Sequence, residues 1–250
     1  DLRIGDDVSV LVGCGLGGGS LINANVALRP DPAVFTQPPW PKEIAADPRL
    51  DEFFRKAEQC LGSNPYPQPN GDRSPAGNGY PKLPKVAAME TAAKALGLPF
   101  SCPPINVSFE KKPNAFGVPQ EACVLCGDCV TGCNYGAKNT TLMNYLPGAK
   151  KHGAEIFTMA CVESVALVDG TWQVELLDCA GSTARPLTVR ASSVVLGAGT
   201  LGSTEILLRS KAKGLAVSDQ LGARFSTNGD ALAWGYDLDW PANDGGLLAA

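Results

Sequence analysis

Leu196-Gly197-Ala198-Gly199-Thr200-Leu201-Gly202-Ser203-Thr204-Glu205-Ile206-Leu207-Leu208 reads as the end of a strand, a glycine turn and the start of a helix. β-Branched residues lead into the turn over Leu187 to Leu196, and Ser203 to Lys211 carries a short helical pattern with Ser203 near its start. Gly197, Gly199 and Gly202 fit G-x-G-x-x-G, a spacing that lets main-chain amides approach a phosphate at a helix N-terminus. Upstream, Val8 to Val12 is a short strand feeding Gly13-Cys14-Gly15-Leu16-Gly17-Gly18-Gly19-Ser20, where Gly13, Gly15 and Gly18 repeat that spacing. Neither copy is a complete dinucleotide fingerprint. Arg29-Pro30-Asp31-Pro32 stops the element after the first, and Gly214 to Gly222 breaks the chain after the second before any acidic strand that could hold a ribose. Taken alone, each loop reads equally well as a tight turn that packs a strand closely on its neighbour.

Between the two loops the pattern changes character. Ile156 to Leu167, Trp172 to Leu177 and Leu187 to Leu196 are partly alternating and are separated by Asp169-Gly170 and Ala180-Gly181, which predicts a three-strand meander. Lys138 to His152 reads as a helix with Gly153 at its end; Lys138-Asn139-Thr140 then serves as a helix start. From Arg29 to Pro119 prolines are dense, including Pro38-Pro39, Pro65, Pro67, Pro69 and Pro103-Pro104. Helical patterns survive there only at Asp47 to Leu61 and Lys85 to Leu96. This predicts an irregular cap, packed because Trp40, Phe53, Phe54 and Tyr80 need burial.

Composition narrows the classes. The 250 residues are 44% hydrophobic, enough for a sizeable core, and a formal net charge of −4 gives no basic footprint for nucleic acid. No apolar run reaches membrane-spanning length. Nine cysteines cannot all pair internally, and their clustering suits a reducing or cofactor-loaded setting, so the cytoplasm is favoured with export of a folded protein left open. The chain begins Asp1-Leu2-Arg3 without a signal peptide, and it is expected to be a piece with both ends missing.

Four of the nine cysteines fall in Cys123-Val124-Leu125-Cys126-Gly127-Asp128-Cys129-Val130-Thr131-Gly132-Cys133, a C-x2-C-x2-C-x3-C run. Three readings are open for Cys123, Cys126, Cys129 and Cys133. One is an iron-sulfur cluster, a [4Fe-4S] centre, with Gly127 and Gly132 letting the loop wrap around it. Another is a structural zinc ion, although zinc ligands more often come as two separated pairs. The third is unligated thiols or disulfides. Asn134 follows Cys133 where the two-cluster ferredoxin pattern has proline, so either Cys133 closes the same site or a distant thiol such as Cys102 does. Cys14, Cys60, Cys161 and Cys179 read as small buried apolar residues. His152, the one histidine, sits in Lys150-Lys151-His152-Gly153 and reads as a helix C-terminal partner rather than a base.

Gly17-Gly18-Gly19-Ser20-Leu21-Ile22-Asn23, the meander with Met159-Ala160-Cys161-Val162, the Leu196 to Leu208 stretch, and Leu221-Gly222 with Asn228-Gly229 together resemble the glucose-methanol-choline family of flavin oxidoreductases, in particular its cholesterol oxidase branch. The resemblance covers most of the chain outside Asp31 to about Pro119. It implies an α/β FAD-binding fold with α+β insertions, organised as residues 1–30 (flavin-contacting glycine loop), 31–120 (Pro-rich cap), 121–137 (cysteine loop), 138–230 (FAD-binding domain with the meander) and 231–250 (start of a substrate domain). Carried over residue by residue, Gly17, Gly18, Gly19, Ser20 and Asn23 resemble the loop along the flavin and pyrophosphate, Val162 the backbone at the adenine end, and Gly197, Ala198 and Gly199 the loop that closes the cofactor pocket.

The resemblance also implies oxidation of an alcohol, with a sterol as one substrate, by hydride transfer to FAD. The electrons would go to oxygen, a quinone or a cytochrome, and an iron-sulfur centre would favour the last two. The family's first βαβ unit and its catalytic histidine segment have no counterpart here, so no catalytic residue is named and the piece alone is expected to be inactive. Two rivals are a flavin-only oxidase with a structural cysteine run and an iron-sulfur electron-transfer module.

Overall fold

In the computed structural model, which describes residues 2–38, 40–67 and 80–229, a short hairpin leads into the first glycine loop. Its strands are β1 (Leu2–Arg3) and β2 (Val10–Leu11), paired antiparallel. Gly18–Leu21 then forms a single 3-10 turn. The next elements are α1 (Lys42–Ala45), α2 (Leu50–Leu61), α3 (Pro84–Ala95) and an antiparallel pair of two-residue strands, β3 (Lys112–Pro113) and β4 (Pro119–Gln120). Local chemistry sets the helix ends. Asp51 and Glu52 occupy the first turn of α2, where carboxylates complement the helix dipole, and Pro84 opens α3 at the position that needs no N–H.

Arg29, just beyond the glycine-loop segment, grips α2. Its guanidinium donates to both carboxylate oxygens of Glu58 (2.6 and 2.7 Å) and to Asp51 Oδ1 (2.6 Å). The hydrogen bonds from Arg29 hold both carboxyls below the ordinary carboxylate range. A carboxyl whose pKa is depressed in the folded state stabilises the fold above its ordinary pKa and loses that contribution as pH falls through the folded value. Acid titration from neutral pH is therefore expected to show a stability loss below about pH 4 that Arg29→Gln flattens, read by tryptophan fluorescence. An unchanged acid limb in the variant would discount the clamp.

Two expectations fail in this region. Trp40 is 42% and Phe53 49% exposed, not buried. Each finds a partner at the surface instead: Trp40 packs edge-on against Phe35 with centroids 5.1 Å apart, and the Arg49 guanidinium lies 5.5 Å from the Phe53 centroid.

The helix expected over Lys138 to His152 shrinks to α4 (Tyr145–Lys151). Pro147 explains this. It lacks an N–H and its ring collides with the carbonyl four residues earlier, so a helix can hold it only in the first turn. Asn144 caps that turn by accepting the Tyr145 N–H at 2.6 Å, and His152 closes α4 with its own N–H on the Gly148 and Ala149 carbonyls.

The described residues form two compact units that part between Ala154 and Glu155. In the first, the core is built around the cysteine loop. Leu83, Leu125 and Cys129 form one buried cluster, Ile105, Val107 and Ala137 another, and Cys123 packs against both. Tyr80 and Tyr66 stack edge-on with Phe109, and the Tyr80 hydroxyl donates to the Phe109 and Cys123 carbonyls at 3.0 and 3.2 Å.

The second unit is a helix on a sheet. β5 (Ala160–Val168), β6 (Thr171–Asp178) and β7 (Arg185–Ala191) pair antiparallel in that order, with an irregularity between Val162 and Ser164. Asp169 and Gly170, at φ 48° and 75°, make the two-residue turn whose twist suits a hairpin. α5 (Gly199–Ala212) packs on β5 through Ile206 and the fully buried Ser210, whose hydroxyl accepts the Val165 N–H at 2.8 Å. β7 ends at Ala191 rather than Leu196, because β6 has only Thr171 beyond Trp172, the partner of Ala191, before the turn. Val195 is left 93% exposed. The expected substrate-domain start at residues 231–250 and the proline at Pro69 lie outside the described residues. No described helix is long and apolar enough to cross a membrane.

Candidate functional site

Ser20 sits at the centre of the first glycine loop. Its hydroxyl donates to the Gly17 carbonyl at 2.6 Å and accepts the Thr141 N–H at 3.0 Å, while the Thr141 hydroxyl reaches the same Gly17 carbonyl at 3.1 Å. The Ser20 side chain is thus an internal clamp between the loop and the segment after the cysteines. Asn23 Oδ1 accepts the Asn25 N–H at 3.2 Å. Gly17 faces protein, since a Cβ there would meet Leu21 at 3.1 Å, whereas a Cβ on Gly18 or Gly19 would meet no atom within 4 Å. Gly18 and Gly19 therefore face open space and leave their main chain accessible.

The second unit offers a similar surface on its own loop. A Cβ on Gly197 or Gly199 would also meet nothing within 4 Å, and the Ala198 N–H between them donates to Ser203 Oγ at 3.1 Å, tying the loop to α5. At the β5 irregularity Arg209 donates to the carbonyls of Glu163 (2.7 Å) and Val162 (3.4 Å). The Val162 carbonyl is thus already engaged. These residues fit a cofactor that needs small, main-chain-lined approaches.

Cys123, Cys126, Cys129 and Cys133 line a single recess together with Tyr135 and Lys138. Cys102 is exposed and does not belong to it, so Cys133 is the fourth thiol there. The loop wraps with Leu125 at φ 60° and Gly132 at φ 111°, and the Leu125 N–H donates to the Cys123 sulfur at 3.4 Å. Burial pushes the Cys123 thiol up to about 11; the Leu125 N–H pulls against this and the neighbouring cysteines add to it. Burial also raises the Cys129 thiol, against the pull of Lys138.

Among the described residues no three His, Cys, Asp or Glu side chains converge closely enough to hold one metal ion. A tetrahedral zinc ion needs sulfurs about 3.8 Å apart, from Zn–S bonds of about 2.3 Å. The four expected ligands thus share a recess, and the described geometry gives them no formed metal site. The other cysteines also depart from expectation: Cys14 and Cys161 are exposed, and Cys60 and Cys179 are half-buried.

Lys138 is the residue that sequence reasoning misjudged. It is 2% exposed, and its ammonium donates to the carbonyls of Leu21 (3.1 Å), Asn23 (2.7 Å) and Cys129 (2.8 Å). Burial lowers its pKa from the usual lysine range, while thiolates at Cys129 and Cys133 would raise it. It ties the glycine loop to the cysteine loop. Beside it Asn25, 1% exposed, meets Cys129 through its side chain and draws that thiol down. The signal available in the sequence was a single lysine set among uncharged residues directly after a four-thiol loop.

Known proteins share much of this chain. A family model described as GMC oxidoreductase matches residues 5–227. A cholesterol oxidase from Acinetobacter baumannii is 28% identical over 257 residues, which cover 96% of this chain and 46% of that protein. A cholesterol oxidase from Mycobacterium tuberculosis is 28% identical over 243 residues, 90% of this chain and 40% of its own. The chain spans less than half the length of these curated relatives. No solved structure matches.

Proposed function

This chain belongs to the GMC oxidoreductase family, and on that premise we propose that it is the flavin-holding part of an FAD-dependent enzyme that oxidises an alcohol, with a hydroxysterol the leading substrate class. The observation that carries the reading is the family match over residues 5–227, with which the accessible main chain at Gly18, Gly19, Gly197 and Gly199 is consistent. The sterol preference is supported by the relatives' being cholesterol oxidases.

Bound FAD supplies a ring that accepts hydride from the carbon bearing the hydroxyl. This chain's own contribution is binding. Gly18 and Gly19 present main chain to the flavin and pyrophosphate, with Gly17 at the packed start of the loop, Ser20 and Thr141 fixing its geometry and Asn23 at the loop's end. In the second unit, taken by itself, the family resemblance assigns Gly197, Ala198 and Gly199 to a cofactor loop and the Val162 backbone to the adenine end. Residues 31–120 serve as a cap toward the substrate side. No proton-transfer role falls to His152, which closes α4. Electrons taken from the alcohol leave to oxygen or to a carrier such as a quinone or a cytochrome, and the four-thiol recess favours the carrier.

The full-length protein tests this directly. It is expected to purify with flavin absorbance that bleaches when a hydroxysterol is added without oxygen. Gly19→Ala puts a methyl group into the open space at the loop without touching protein. It should leave the melting temperature of the flavin-free protein unchanged and weaken flavin retention by roughly tenfold or more, a cost of about 1.4 kcal/mol. Flavin bound equally well by the variant would remove Gly19 from the site, and a protein that neither carries nor takes up flavin would end the reading.

A further inference from the structure

The recess formed by Cys123, Cys126, Cys129 and Cys133 is a site that the flavin reading leaves without a task. From its donors and surroundings we infer that it holds one four-iron, four-sulfide cluster, with Lys138 as the buried cation beside it. Four thiols face one space, which no scatter of structural cysteines would produce. The C-x2-C-x2-C-x3-C spacing, with Gly127 and Gly132 in the loop, is that of a cluster loop, whose thiolates stand further apart than the ligands of one ion. The loop is already shaped for such a body. Leu125 adopts a left-handed backbone unusual for a leucine and aims its N–H at the Cys123 sulfur, as cluster loops do to stabilise anionic sulfur.

Two further features point to an anionic occupant. The Lys138 ammonium is almost wholly buried, and the three groups it donates to are all carbonyls, none a carboxylate. A buried charge in that position calls for opposite charge nearby, and a cluster bound by four thiolates is a net anion. Asn25, 1% exposed, stands beside Cys129, and its amide NH2 is a donor that a cluster-bound thiolate there would accept.

The cluster's redox task rests on the flavin reading. Each alcohol oxidised yields two electrons and two protons; the electrons would pass through the cluster one at a time and reduce a one-electron carrier twice, with both protons released to solvent, or a quinone once, which takes up two protons to form the quinol. The site itself stands without that reading, so the test measures cluster and flavin separately.

Full-length protein is prepared and reconstituted anaerobically with iron and sulfide, then assayed for iron, acid-labile sulfide, zinc and flavin per chain, with electron paramagnetic resonance after reduction by dithionite. About four iron and four sulfide per chain with a reduced-cluster signal are expected, whatever the flavin content. Cys126→Ser should lose most of that iron, and Cys161→Ser, outside the recess, should keep it; far-ultraviolet circular dichroism checks that both variants fold. Zinc without sulfide, or a wild-type protein that stays metal-free with its thiols titratable, overturns the inference. Iron retained in full by Cys126→Ser overturns it as well.

Discussion

Gly13→Ala is expected to dismantle the first glycine loop. A Cβ at this position would stand inside contact distance of the Gly18 carbonyl oxygen, 2.5 Å from its carbon and 2.9 Å from the Gly19 nitrogen. All three atoms are main chain, so no side-chain rotation relieves the overlap. The loop cannot yield cheaply either. Gly18 N–H is held by the Gly15 carbonyl at 2.9 Å, and the Gly17 carbonyl is held by both Ser20 and Thr141. Accommodating the methyl group means breaking that set, at a cost of about 3 kcal/mol. For a domain of this size that lowers the melting temperature by roughly 6–12 °C. Flavin retention should fall with it, which sets Gly13→Ala apart from Gly19→Ala, where flavin alone is affected. A Gly13→Ala protein with normal melting would mean that the loop has another arrangement available.

Legibility in the sequence followed the range of the interactions that decide each element. Asp169-Gly170 announces its own turn because two left-handed residues in a row are a local requirement, and α3 begins at Pro84 for an equally local reason. The segment from Lys138 to Asn144 misled because its conformation is decided far away. Lys138 bonds to carbonyls 117 and 115 residues earlier, and Thr141 to Ser20 across 121. Helical periodicity contains no trace of such partners. Pro147 was a local signal, and it outweighs the apolar spacing of Leu142, Tyr145 and Leu146.

The same distinction runs through the candidate site. G-x-G-x-x-G spacing locates Gly18 and Gly199, but which face of a glycine is open depends on neighbours brought in by the fold: Gly17 is packed where Gly18 is free. The clamp that Ser20 makes was illegible, because its partner lies on the other side of the cysteine run. For the four cysteines, spacing located the loop. Only the fold shows that Cys129 is in the first unit's core and that Cys123 and Cys133 pack against it.

Lys138→Met carries the second large effect, and it separates two functions of one side chain. Methionine keeps most of the apolar stem and removes the ammonium, so the carbonyls of Leu21, Asn23 and Cys129 lose their common donor. A hydrogen bond to a charged group contributes about 1.5–3 kcal/mol, and three such losses would be severe if nothing offset them. Two things do. The Leu21 and Asn23 carbonyls lie where water can replace part of the bond, and removing a buried charge recovers its desolvation cost. A net loss of about 2–4 kcal/mol remains, seen in urea unfolding of the full-length protein as a lower midpoint.

The size of that loss should depend on what fills the recess. With an anionic cluster in place, the ammonium also gains its attraction, so the substitution costs more in loaded protein than in protein stripped of metal. Measuring the midpoint shift in both states closes a cycle whose difference is the coupling between Lys138 and the occupant. A positive difference makes Lys138 both the tie between the glycine and cysteine loops and the counter-charge of the recess; equal losses in the two states would leave it a tie alone and remove the electrostatic case for an anionic occupant.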